Sequence, residues 1–409
     1  MIQNGNMGNP DINCNVHVKF GALRENVLQR YGPETWLATG HYARLWHPQL
    51  NDKSRPTTTE SLPPVTLQNY SSLIEQNLSL EDDDWLWRFH SRCQSGDTLT
   101  PWLLGAADLT KDQSYFLAGC KGSQLRQVLF PLGDLYKKSP PRTSTQQNLD
   151  QADQDTAAAP IEREDAAKTV REIAAELNLP TANKRESMGI CFIGKRKSWK
   201  QFVQDYVPRA ERKVDFVDID SGKVLAQSDE PSHPAFYTAG QGARLSGTPE
   251  KYFVVGPVSS PPSVLLASSS TRITSNDSVM PQSKEERNNV VWICAGTQHP
   301  ALFAKHFTVH SFNWILETVP EPLLKLGGVL RCQCRIRHLQ RLANCEVVRT
   351  ENSEGRDGHY TIHLEEPMRG IMPGQMLVLY AANGLVCLGG GPITSRGPSL
   401  WEQNKMHKV

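Results

Sequence analysis

The chain has 409 residues, of which 44 are basic and 43 acidic, for a formal net charge of +1. That length holds two or three domains with cores of their own, and the near balance of charge leaves any nucleic-acid contact to local clusters. No run approaches the ~18 consecutive apolar residues of a membrane helix, and nine cysteines over so long a chain are too sparse for a secreted disulfide scaffold.

A reducing interior compartment and no membrane partner are therefore expected. The N-terminus, Met1-Ile2-Gln3-Asn4-Gly5, has neither a basic region before an apolar run nor an Arg-rich amphipathic segment. Either the protein is cytosolic or the sequence begins downstream of its true start.

Near the start, Asn9-Pro10-Asp11-Ile12-Asn13-Cys14-Asn15 sets a cysteine three residues after an acid. Phe20, Leu23, Val27 and Leu28 fall at helical spacing, with Gly32-Pro33 as the stop. Trp36-Leu37-Ala38-Thr39 predicts a short buried strand ending at Gly40-His41-Tyr42-Ala43-Arg44. A glycine at the carboxyl end of a strand in an α/β sheet is either a place of close ligand approach or an ordinary turn. Residues 47–100 are rich in Pro, Thr, Ser, Asn and Asp and predict a surface insertion over most of their length, its end tethered by Trp85, Trp87 and Phe89.

Lys111, Asp112 and Gln113 put a cation, an anion and an amide at a helix start, where an acid also suits the dipole. A helix is expected from Ser123 to Leu129, then a polar linker over 139–160. Ala166, Val170, Ile173, Ala174 and Leu177 lie on one stripe of an amphipathic helix over Ile161–Asn178.

Next comes Glu186-Ser187-Met188-Gly189-Ile190-Cys191-Phe192-Ile193-Gly194-Lys195. Lys184, Arg185, Lys195, Arg196 and Lys197 surround Cys191, and positive charge favours thiolate over thiol. Gly-Ile-Cys-Phe-Ile equally fits a structural cysteine on a buried strand. Trp199, Phe202, Val203 and Tyr206 predict a short helix. A hairpin around Ser221-Gly222 and strands at Tyr237–Gly242 and Tyr252–Val255 then make a small second domain. Residues 258–289 form a Ser/Pro/Asn-rich insertion.

The last 120 or so residues predict short antiparallel strands at Val290–Cys294, Phe307–His310, Val329–Ile336, Cys345–Val348, Tyr360–Leu364, Met376–Tyr380 and Leu385–Leu388. A small barrel closes them without leaving edges. Strand period turns Arg331, Gln333, Arg335 and Arg337 outward, as a phosphate-contacting ridge or a solvated face, and Cys332, Cys334 and Ile336 inward. Cys332, Cys334, His338 and Cys345 do not match zinc spacing, because C-x-C is shorter than C-x₂₋₄-C. No metal is expected. A thiol-redox role for the C-x-C pair is a further reading.

Together these stretches resemble the tRNA-specific 2-thiouridylases, the mitochondrial branch in particular. The matching pieces are Asn9-Pro10-Asp11 with Cys14-Asn15 and Lys19-Phe20, Ala38 to Arg44, Lys111 to Leu117, Phe130-Pro131-Leu132-Gly133, Lys184 to Lys195, Tyr237-Thr238 with Gly240-Gln241, His299 to Leu302, Pro373-Gly374-Gln375 and Cys387 to Gly391. The resemblance implies an α/β fold: an incomplete parallel-sheet, nucleotide-hydrolase-like domain, then a small α+β central domain and a C-terminal antiparallel β-barrel. Expected boundaries are 1–198 for the catalytic domain, with insertions at 47–100 and 139–160, then 199–257, a flexible insertion at 258–289, and the barrel at 290–396.

The implied reaction uses Mg-ATP to adenylate the C2 oxygen of the wobble uridine. A persulfide on Cys191 delivers sulfur to C2, and Cys14 then attacks, leaving a Cys14–Cys191 disulfide, with Asp11 as general acid or base. Asn9, Pro10 and Asp11 would contact the target base and Gly40 the ATP. His41, Lys111, Asp112, Gln113, Arg337, His338 and Gln375 would contact tRNA. The implied partners are the anticodon stem-loop and a persulfide donor protein, for a monomer in mitochondria or, alternatively, the cytoplasm.

The Ser-Gly-Gly-x-Asp-Ser loop that the family places upstream of Asn-Pro-Asp is missing from this sequence, so an N-terminally truncated chain that binds ATP poorly is expected. Gly242-Ala243-Arg244 departs from the arginine usual after Gly-Gln. The competing expectation is a non-catalytic tRNA-binding or sulfur-carrying remnant.

Overall fold

Side-chain alternation along the strands closes the C-terminal part of the chain. The computed structural model describes residues 9–47, 70–77, 85–86, 100–137, 168–184, 210–257, 289–350 and 358–406. Its strands are β1 (Leu37–Ala38), β2 (Arg44–Trp46), β3 (Trp102–Leu104), β4 (Val128–Leu129), β5 (Asp215–Asp218), β6 (Val224–Gln227), β7 (Tyr252–Pro257), β8 (Val290–Ala295), β9 (Phe303–Val309), β10 (Asn313–Trp314), β11 (Val329–Arg335), β12 (Ala343–Arg349), β13 (Tyr360–Arg369), β14 (Met376–Ala381) and β15 (Val386–Arg396).

Strands β14, β11, β12, β13, β9 and β15 pair antiparallel in that order, and β15 returns to β14, which closes a barrel of six. In β13, Tyr360, Ile362 and Leu364 are buried while His363 is exposed, the period of two. Strand β14 breaks that alternation because both its faces are covered. Leu377 and Leu379 enter the barrel core with Phe307, Tyr360 and Ile362, whereas Val378 and Tyr380 pack with Ile12, Phe20, Tyr115 and Leu117. A strand buried on both sides reads as an unbroken apolar run. At Gly389 in β15 φ is +141°, and a Cβ would stand 1.9 Å from the Asn313 carbonyl oxygen. Only glycine lets β10 and β14 flank the chain at that point.

The N-terminal part is an α/β layer laid on this barrel. Pro10–Asn13, Cys14–Leu23 and Arg24–Tyr31 follow one another as helix, with wider π-type turns in the middle stretch and a kink at Gly21, whose backbone is not helical, and stop before Gly32. β1 pairs in parallel with β4, while β2 and β3 extend the barrel sheet from β15. The central sheet has the order β6-β5-β8-β7, with β5 and β8 parallel, and the expected hairpin at Ser221-Gly222 joins β5 to β6.

Several expectations are corrected. Val290–Cys294 is not a barrel strand: as part of β8 it fills the gap between β5 and β7. The insertion expected over most of 47–100 is anchored earlier than its tethered end, because Tyr70, Ile74 of the helix Ser71–Asn77, and Leu86 are buried in the barrel core beside Trp46 and Trp102. Their few apolar side chains were masked by polar neighbours in the composition. Ala38 in β1 is exposed and Leu37 half-buried, since among the described residues only β4 pairs with that strand. Tyr237–Gly242 forms turns rather than a strand, with a single bridge from Gly242 to Phe253; the Gln241 side chain folds back to accept the Thr238 N–H at 3.1 Å. Ser123–Leu129 divides into a helix, Gly122–Leu125, and β4. The amphipathic helix is described at Val170–Glu176, where no residue is fully buried, and Leu177 is exposed. Arg335 does not face outward; it is buried. The linker 139–160, the stretch around Cys191, the helix at Trp199–Tyr206 and residues 258–288 lie outside the described residues.

Ile74 tests the corrected role of the 47–100 stretch. Ile74→Ala should cost about 2–5 kcal/mol in denaturant unfolding, where a surface insertion would give almost nothing.

Candidate functional site

Asn9 caps the first helix by accepting the N–H groups of Asp11 (3.0 Å) and Ile12 (3.4 Å), and Pro10 takes the first turn, where its missing N–H costs nothing. Asp11 and Cys14, three residues apart, then share one side of the helix, both half-buried. Ile12 and Val16 dock against Gly119, where a Cβ would meet their methyl groups at 2.9 and 3.0 Å.

Asn15, fully buried, donates to the Phe116 carbonyl (3.1 Å), and its Oδ1 stands 3.2 Å from His41 Nε2. His41 Nε2 is also 3.3 Å from Lys19 Nζ, and Nδ1 is 2.7 Å from Thr39 Oγ1. Phe20 and Phe130 flank the ring at 5.6 and 5.4 Å between centroids. Burial, helped by the Lys19 charge, lowers the His41 pKa to about 4. The imidazole is neutral at physiological pH and works as a hydrogen-bonding post between the helix and the end of β1. Gly40 beside it is exposed, and a Cβ there would touch only Leu132 Cδ1, at 3.6 Å.

The Lys111-Asp112-Gln113 turn is built inward. Asp112 Oδ1 accepts the N–H groups of Ala106 (3.2 Å) and Ser114 (3.1 Å), while Oδ2 accepts Ser114 Oγ (2.9 Å) and Arg335 Nη1 (3.3 Å). The guanidinium of Arg335 also lies 5.1 Å over the Tyr380 ring. Gln113 clamps the segment after Gly40: its Oε1 accepts the Tyr42 N–H (2.9 Å), and its own N–H donates to the Tyr42 carbonyl (2.8 Å). Lys111 is half-buried, its N–H donating to the Asp108 carbonyl.

From the barrel, His338 Nε2 donates to the Asp112 carbonyl at 2.8 Å, and its ring lies 4.3 Å from that of Phe116. Burial lowers the His338 pKa, against the opposing pull of Asp112 and of Asp11, whose charge reaches this ring. Asp11, Asp112 and His338 therefore border one region. Arg337 and Gln375 are engaged elsewhere: Arg337 Nη2 donates to the carbonyls of Ala239 (2.8 Å) and Gly370 (3.0 Å), and Gln375 Oε1 accepts the Met372 N–H (3.0 Å). With Arg335 buried on Asp112 and Arg337 on carbonyls, the outward arginine ridge is not formed. Cys191 lies outside the described residues.

Sequence reasoning missed Thr39, Ser114 and Tyr380 as partners of the site. Asn15 and Lys19 stood inside the matching stretches without a role. A buried asparagine next to a cysteine was the available signal for Asn15. Nothing local marks Tyr380, which is 266 positions from its Ser114 partner.

Family models match both ends of the chain. One, described as a tRNA methyl transferase HUP domain, covers residues 1–159 and 159–195; the other, an aminomethyltransferase beta-barrel domain, covers residues 304–393. The chain is 30% identical over 406 residues to the mitochondrial tRNA-specific 2-thiouridylase 1 of Mus musculus, spanning 98% of this chain and 73% of that protein. It is 29% identical over 397 residues to the protein of that name from Drosophila melanogaster, with 97% and 73% covered. To the tRNA-specific 2-thiouridylase MnmA of Chlamydia abortus it is 29% identical over 387 residues, with 94% and 72% covered.

Asp112→Asn leaves the Arg335 charge buried without its counter-ion and should cost about 3–5 kcal/mol in urea unfolding, much of it recovered by adding Arg335→Met. A cost under about 1 kcal/mol would show the pair to be solvated. His41 gives a pH test. Its folded pKa lies below the unfolded value, so protons bind the unfolded chain first, and stability falls as pH drops from about 6.5 to 4. Between pH 7 and 5 the His41→Gln variant should lose about 2 kcal/mol less than the parent. Equal losses would mean that His41 protonates freely in the folded protein.

Proposed function

Because the chain belongs to the tRNA-specific 2-thiouridylase family, we propose that it carries out ATP-dependent transfer of sulfur from a persulfide on Cys191 to C2 of the wobble uridine of tRNA, in mitochondria. The persulfide would come from a donor protein, and the tRNA would be held by its anticodon stem-loop, whose unpaired uridine needs little energy to leave its stack.

The observation that carries the reading is the setting of Cys14. Among the described cysteines, Cys120, Cys294, Cys334, Cys345 and Cys387 are buried. Burial pushes the thiols of Cys120 and Cys294 up to about 12 and that of Cys387 higher still. Hydrogen bonding among Cys332, Cys334 and Cys345, with burial, raises the thiols of Cys334 and Cys345. A thiol held protonated is a poor nucleophile. Cys14 and Cys332 are half-buried, and of the two Cys14 stands one helical turn from Asp11, whose charge reaches His338.

In the proposed sequence the terminal sulfur of the Cys191 persulfide attacks C2, and the C2–O bond breaks. The Cys14 thiolate then attacks the Cys191 sulfur, forming the Cys14–Cys191 disulfide and leaving the second sulfur on C2. Asp11 holds or accepts the proton that Cys14 or the base must lose. ATP, when bound, would supply activation, turning the C2 oxygen into a leaving group; the Ser-Gly-Gly-x-Asp-Ser loop that the family provides for its phosphates is missing from this sequence, so its binding here is expected to be weak. The edge at Gly40, where a Cβ would meet Leu132 Cδ1 at ordinary contact distance, 3.6 Å, suits a nucleotide, and Gly40 would line it. His41, neutral and fixed, holds that edge against the Cys14 helix.

Mass spectrometry of tRNA from cells lacking the protein tests this. Wobble 2-thiouridine should vanish from a subset of tRNAs, return with the parent gene, and stay reduced roughly 100-fold or more with Cys14→Ser or Cys191→Ser. Unchanged 2-thiouridine in every compartment would reject the assignment. Binding of tRNA by a parent protein that restores no thiolation would assign the non-catalytic carrier role instead.

A further inference from the structure

The barrel carries a second group of thiols that the proposed reaction does not use. Cys332 on β11 and Cys345 on β12 are direct cross-strand partners, with their Sγ atoms 3.8 Å apart. Cys332 is half-buried where it packs against the barrel core, whereas Cys345 is buried in that core. Cys334, two residues on and also buried, is opposite Ala343 and therefore diagonal to Cys345.

We infer that Cys332 and Cys345 form a redox-active dithiol that small-molecule disulfides, of which glutathione disulfide is the type, convert reversibly to a cross-strand disulfide. Geometry selects this pair over the adjacent C-x-C. Directly opposed residues on antiparallel strands have Cα atoms about 4.5–5.5 Å apart, inside the range a disulfide spans, whereas diagonal positions, and positions i and i+2 of one strand, are about 7 Å apart, outside it. The two sulfurs stand 3.8 Å apart, so the bond closes by an approach of about 1.8 Å.

The chemistry balances in two exchanges. The Cys332 thiolate attacks one sulfur of the small disulfide, forming a mixed disulfide and releasing one thiol. The Cys345 thiolate then attacks the Cys332 sulfur, closing Cys332–Cys345 and releasing the second thiol. The protein dithiol gives up two electrons, and its two protons go to the departing thiolates. In the reduced pair the hydrogen bond with Cys332, with burial, raises the Cys345 thiol, and because each exchange needs a thiolate, oxidation speeds up with pH. The bond would close the base of the hairpin loop that carries Arg337 and His338, between β11 and β12.

Full-length protein incubated with glutathione disulfide, then alkylated and digested with trypsin, gives the test. Cleavage after Arg331, Arg335, Arg341 and Arg349 isolates Cys332-Gln333-Cys334-Arg335 and Leu342–Arg349. The expected product is these two peptides cross-linked, two hydrogens lighter than their sum and separated by dithiothreitol. The link should persist in Cys334→Ser and disappear in both Cys332→Ser and Cys345→Ser. A link that survives Cys332→Ser, a glutathione adduct that persists on Cys332 with Cys345 still alkylatable, or no oxidation of either residue would each overturn the inference.

Discussion

A carboxylate and a guanidinium withdrawn from water must find each other, and in this chain that requirement joins the two halves. The Asp112 side chain is 2% exposed and that of Arg335 10%. One belongs to the turn before the helix Ser114–Leu117 and the other ends β11. Neither charge can be buried unless the N-terminal layer and the barrel are in register. Ser114, Tyr380 and His338 complete the arrangement, so the carboxylate oxygens, the backbone carbonyl of Asp112 and the neighbouring rings are all spoken for. The pair therefore acts mainly on geometry. It fixes the surface on which the Cys14 helix lies.

The same low-dielectric surroundings sort the titratable groups. His41 and His47 both titrate near 4, and the buried thiols are held as thiols. Reactivity is thereby concentrated where solvent still reaches. At the N-terminal layer that leaves Cys14 and Asp11 half-buried on one side of their helix. Among the described residues no cluster of His, Cys, Asp and Glu gathers for a metal.

The barrel was legible because period-two burial survives in Tyr360–Leu364 and in Val329–Cys334, and because glycine and proline mark the turns. Legibility failed where a residue's environment is set by distant chain. Arg335 carries the outward parity of its strand, yet the layer containing Asp112 covers that face, and nothing within ten residues of Arg335 announces it. Val290–Cys294 has the composition of a barrel strand, and only its pairing with β5 assigns it to the central sheet. Tyr70, Ile74 and Leu86 are isolated apolar residues in polar sequence, so an average over the stretch hides them. Of the candidate site, the Asn9–Asn15 stretch and Gln113 could be singled out by resemblance, though not the helix cap and the Tyr42 clamp that the structure gives them. The inward direction of Asp112 and the bridging role of His41 could not.

The joint between the central sheet and the barrel has its own character. Arg337 reaches the carbonyls of Ala239 and Gly370, and Arg369 reaches that of Gly240 at 2.9 Å. At Gly370 φ is +73°, and a Cβ would fall 2.5 Å from Arg337 Nη2, so glycine is what admits the guanidinium. A peptide oxygen has no proton to gain in mild acid, and counter-ions compete poorly for so short a dipolar contact. These three bonds should hold the joint steady when salt is raised to strip a polyanion from the surface. A fall in affinity under those conditions then reports on the electrolyte shell of the bound nucleic acid, with the relative tilt of the two β units left as it was.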